Sequence, residues 1–93
     1  MPAKTPYAEV WLEMAAAGKK YRAALLVPEG HEYPDDFHLS EIQTDNSTSS
    51  LYVTDWHLGI VKAKRAAEGA ASFYTERKIK FLFFREIRPP KEI

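Results

Sequence analysis

Three histidines, a run of carboxylates and a set of cations beside aromatics are the residues of this chain whose types could do chemistry. His31 and His38 bracket Asp35 and Asp36, and imidazole with carboxylate suits zinc or manganese. His57 would add a third imidazole from the next element. The two loop histidines stand seven positions apart, however, which matches no ligand spacing of known geometry. An acidic turn is the expected reading, and no metal or other cofactor is assigned. Catalysis fares no better. Ser40, Ser47, Ser49 and Ser50 carry hydroxyls, yet nothing marks a base and an orienting group beside any of them. Asp35 and Asp36 are neighbours that point to opposite sides of an extended chain, so they make no ready carboxylate pair. The four glycines are isolated and form no phosphate-cradling loop. The chain is expected not to be an enzyme.

The other constellation is Glu-Arg-Lys-Ile-Lys-Phe-Leu-Phe-Phe-Arg-Glu-Ile-Arg, residues 76–88. Extended, it turns Ile79, Phe81, Phe83 and Ile87 one way and Lys78, Lys80, Leu82, Phe84 and Arg88 the other. The first set reads as a core face. The second mixes apolar residues with cations, a composition with which exposed sheets stack single-stranded bases. Against that, a helix laid over Leu82 and Phe84 would give the same pattern, with the lysine stems along its rim. A central strand buried on both faces would also read as an unbroken apolar run. Lys62, Lys64 and Arg65 lie just upstream and would join Lys78, Lys80, Phe84 and Arg88 only if the fold brings them together.

These residues need elements to hold them. Thr5 as N-cap, Pro6 at the first helical position, a run of helix formers and Gly18 as terminator predict an N-terminal helix over 5–18. The same residues alternate, with Ala8, Val10, Leu12 and Met14 against Tyr7, Glu9, Trp11 and Glu13, as a strand would. Three alanines before Gly18 make a poor hairpin turn, which favours the helix. Residues 20–27 read as a strand stopped by Pro28, and 38–43 and 51–54 as shorter ones, with loops near 28–37 and 44–50. Thr54 or Asp55 can cap a long helix over about 55–75, whose stripe runs Trp56, Ile60, Ala63, Ala67, Ala70, Tyr74. Gly69 could end it early. A last strand over about 78–87, central or next to central, is stopped by Pro89 and Pro90.

The expectation is one α+β domain over residues 1–93: a small, mostly antiparallel sheet of three to five strands packed by one long helix, with an N-terminal helix. Ninety-three residues carry 13 basic and 13 acidic side chains, so there is no general attraction for nucleic acid. The layout is uneven. Residues 28–55 hold seven acids and no Lys or Arg, whereas 56–93 hold nine basic and four acidic groups. The two segments are expected to neutralise each other in the fold. No apolar run is long enough to span a membrane, the N-terminus lacks the apolar core of a secretory signal, and cysteine is absent, so a cytoplasmic location is expected. With no chemical motif and a surplus of Tyr and Trp, the chain reads as an interaction protein, an adaptor or inhibitor that binds another protein. A homodimer seam is one place for those aromatics. The alternative is a single-stranded nucleic-acid binder using Lys62, Lys64, Arg65, Lys78, Lys80, Phe84 and Arg88.

Overall fold

The computed structural model describes residues 7–43 and 48–90. Six strands and one helix follow in the order β1 (Ala8–Met14), β2 (Lys20–Pro28), β3 (His38–Leu39), β4 (Ser49–Val53), β5 (His57–Leu58), α1 (Val61–Glu76) and β6 (Phe81–Arg88). The sheet runs β3-β4-β2-β1-β6, with β5 pairing the start of β2. Neighbours are antiparallel except β1 and β6, which run parallel. The sheet is therefore mixed. A parallel neighbour needs a crossover, and α1 supplies it.

The expected N-terminal helix is a strand. Alternation outweighs helix propensity here, because Ala8, Val10 and Leu12 are buried under α1 while Trp11 and Glu13 are buried on the opposite face. The three alanines and Gly18 do form the hairpin connection. Ala15 N–H donates to Lys20 C=O at 2.9 Å, Gly18 N–H donates to Ala15 C=O at 2.8 Å, and Gly18 takes φ 79° without strain. Thr5 and Pro6, the expected cap, lie outside the described residues, as do positions 44–47 of the expected polar loop.

The helix follows its stripe from Ile60 onward. Ala63, Ala67, Ala70 and Tyr74 are all 0 % exposed against Val10, Leu12, Ala23, Leu25 and Val27, and Gly69 does not interrupt it. Its start differs from expectation. Residues 57–58 pair with β2 instead, so α1 begins at Val61 with Ile60 as an N-cap that makes no side-chain bond. At the other end Lys78 adopts φ 58°, Lys78 N–H reaches Thr75 C=O and Ile79 N–H reaches Tyr74 C=O. This double bond closes the helix in the Schellman manner, with lysine where glycine is usual.

The final strand is also corrected. Its apolar run predicts a central or near-central place, yet β6 is an edge, with β1 on one side only.

Candidate protein-binding edge

β6 and β3 end the main strand order, with β5 off that path beside the start of β2, and β6 is the long one. Ala8 donates its N–H to Lys80 C=O at 3.1 Å and pairs with Phe81. In a parallel ladder that phase turns the N–H and C=O of Lys80, Leu82 and Phe84 toward β1. It turns those of Phe81 and Phe83 outward, and those of Ile87 again beyond a slip in register, where no further strand lies among the described residues. The side chains beside these groups are apolar and open: Leu82 is 43 % exposed, Phe83 37 % and Ile87 45 %.

The helix covers only the beginning of this strand. Phe81 and Ile79 pack against the core, Phe81 with its ring 6.2 Å from that of Tyr74. Further along, a groove of about 630 Å³ opens between α1 and β6, lined by Leu12, Lys64, Glu68, Ala71, Phe83 and Arg85. A register shift adds to the mismatch. Val10 pairs with Phe83 and Leu12 with Ile87, so β6 carries two more residues than β1 over that stretch.

Among the described residues, no helix covers the other face of the sheet. Trp11, Ala24, Leu51 and Val53 form a second buried cluster there, with Leu26 and Phe84 packed against it. Phe84 therefore lies on the face opposite α1. The face is sewn together by charge. Glu13, 2 % exposed, accepts from Trp11 Nε1–H at 3.0 Å and from Arg22 Nε–H at 2.8 Å. Arg22 lies 4.3 Å from the Trp56 ring centre, and Arg88, opposite Glu13 in the register, lies 4.6 Å from that of Phe84 and 5.6 Å from that of Trp11. Two guanidiniums flank one buried carboxylate, each stacked on aromatic rings. The sequence signal for this row was the alternation Glu9, Trp11, Glu13 facing Arg22, readable only once residues 8–14 are taken as a strand.

The seven cation and aromatic residues singled out from sequence do not converge. Phe84 and Arg88 share the uncovered face with half-buried side chains, and alternation sets exposed Lys80 on the same side. Lys78 is exposed at the turn that closes α1. Lys62, Lys64 and Arg65 sit on the helix, on the opposite side of the sheet, and they divide. Lys64 borders the groove beside β6. Lys62 and Arg65 line a polar hollow with Asp36, Thr54, Asp55 and His57.

That hollow is where basic helix and acidic loop meet. Arg77 Nε also pairs with Glu32 at 3.2 Å, and Tyr74 O–H donates to Glu32 C=O at 2.7 Å. Burial pushes the Tyr74 phenol up to about 12. Tyr33 stacks on Tyr52 at 4.1 Å between ring centres, and burial, followed by the charge of Tyr33, raises the Tyr52 phenol as well. The histidines stay apart. Among the described residues, no three His, Asp or Glu side chains gather as metal ligands do, and no helix is long and apolar enough to cross a membrane. No protein-family model, curated protein or solved structure matches this chain.

Proposed function

We propose that this chain is a non-catalytic cytoplasmic interaction protein that joins a second polypeptide by strand addition along β6. The observation that carries the reading is the eight-residue edge that meets no further strand among the described residues while Leu82, Phe83 and Ile87 stand exposed. Main-chain bonds to an added strand give affinity, and pockets for alternate side chains give selectivity. The groove beside Phe83 is such a pocket, with Lys64 and Arg85 at its rim. Of the two charged segments, the basic and aromatic one is the contact surface. The acidic loop already faces Arg77, Lys62 and Arg65 within the molecule.

Single-stranded nucleic acid draws less support. Trp11 is only 9 % exposed, both guanidiniums of the uncovered face rest on protein rings, and Glu9 and Glu13 share that face. A stacking platform needs open rings and free cations.

The test is Arg85→Pro. It puts a proline, which cannot donate a main-chain bond, at the irregular step of the β6 edge, a position that edge strands and bulges tolerate. The wild-type chain isolated from its own cells should be held in a complex, with itself or with another polypeptide. The variant should keep its thermal unfolding and lose that complex. A complex indifferent to Arg85→Pro would overturn the proposal.

A further inference from the structure

We infer that the strand added to β6 is β6 of a second copy, paired antiparallel about a two-fold axis at Phe83; this rests on the strand-addition reading above. In such a pair, residues directly opposite lie on the same face of the joined sheet, so only registers two residues apart compete. The register centred on Phe83 sets Leu82 opposite Phe84 of the second copy, Phe81 opposite Arg85, and Lys80 opposite Glu86. Each contact occurs twice by symmetry. Apolar side chains meet apolar ones, a ring meets a guanidinium, and the only acid of the segment 78–88 meets a lysine. The axis falls on a residue whose N–H and C=O point outward, so two copies of Phe83 exchange both main-chain bonds.

The register centred on Leu82 gives Glu86 no cation, because its opposite number Lys78 is turned away in the closing turn of α1, and the registers further along are worse on charge alone. Centred on Phe84, the pairing opposes Lys80 to Arg88; centred on Arg85, it sets two arginines face to face; centred on Glu86, two glutamates. The Phe83 register would oppose Lys78 to Arg88 only if Lys78 were extended, and Lys78 is turned away at φ 58° in the closing turn of α1. The bond of Ile79 N–H to Tyr74 C=O likewise ends the pairing at this point. Phe83 of each copy then lies beside the groove that α1 leaves open, which covers the exposed ring of the other.

Charge exchange tests the register. Lys80 and Glu86 are both exposed and outside the core, so Lys80→Glu and Glu86→Lys should leave the fold intact. Sedimentation of the wild-type chain should give a dimer. Each single variant sets like charges opposite each other twice and should weaken the dimer about tenfold. The double variant should recover it, and mixing the two single variants should yield a heterodimer tighter than either homodimer. A monomeric wild type that is nonetheless captured by another polypeptide, and released from it by Arg85→Pro, would overturn this inference and leave strand addition standing. A dimer that ignores the charge exchanges but is broken by Arg85→Pro would overturn the Phe83 register. A dimer indifferent to all three substitutions would overturn both.

Discussion

The two edges of this sheet are handled in opposite ways. At the β3 edge, two residues of strand suffice, because Gln43 completes the pairing with its side chain. Its amide accepts from Leu51 N–H at 2.9 Å and donates to Leu51 C=O at 3.1 Å and Ser40 C=O at 2.6 Å. Ser40 N–H adds a bond to Leu51 C=O at 2.9 Å. A side-chain amide stands in for a strand and continues the pairing of β4 where β3 stops. At the β6 edge an eight-residue strand shows alternate main-chain groups and three exposed apolar side chains outward. Soluble proteins blunt long apolar edges unless something pairs with them. One edge is continued by a side chain, and the other has no strand beside it among the described residues.

The largest expected effect comes from the anchor behind the open edge. Glu13→Ala removes the acceptor of Trp11 and Arg22 and leaves Arg22, a largely buried cation, unpaired. Breaking a buried pair in this way costs about 3 kcal/mol, measurable by urea unfolding. Arg88 stands opposite Glu13 in the register, so amide exchange should quicken at the end of β6 before it does in β4.

At the closed edge, Gln43→Ala should cost about 1 kcal/mol, since the lost bonds are partly replaced by water. The Leu51 amide should exchange markedly faster, while the β6 amides stay unchanged. If Leu51 remained protected, the side chain would not be what closes that edge.

A smaller effect lies in the loop that leads to β3. Tyr74→Phe removes the bond to Glu32 C=O and should cost about 1 kcal/mol near neutral pH. The folded chain keeps the Tyr74 proton up to about 12, while the unfolded phenol releases it near 10.0. The unfolded state therefore binds fewer protons across that window, and stability falls as pH rises through it. Tyr74→Phe should flatten this alkaline decline, followed by thermal unfolding at stepped pH. An unchanged slope would put the decline on other groups, Tyr52 among them.

The sequence made α1, β2 and β4 legible because each has a clean period or a clear stop. The alanine stripe at Ala63, Ala67 and Ala70 sits where its spacing puts it, and Pro28 ends β2 as its missing N–H requires. Residues 8–14 were ambiguous because helix formers were written in strand alternation, and packing on two faces decided between them. The place of β6 was not legible. An apolar run announces burial but not strand order, and Phe83 and Ile87 are apolar yet largely uncovered. The row of Trp56, Arg22, Glu13, Trp11 and Arg88 needs three strands in register, and register is not written in any one of them. For the same reason the sequence could not say whether Lys62 and Arg65 join Lys80 and Arg88, and the sheet lies between them.

The slip in register between Val10 and Leu12 has a consequence for the shape of the molecule. A strand longer than its berth cannot be roofed along its whole length by the neighbours that seat it. Shortening β6 by the two surplus residues would leave Phe83 opposite Val10 and carry the even pairing with β1 on through Leu12. The unshortened chain bows outward at that step, and Phe83 and Ile87 stand on either side of it, part-exposed at the rim of the sheet.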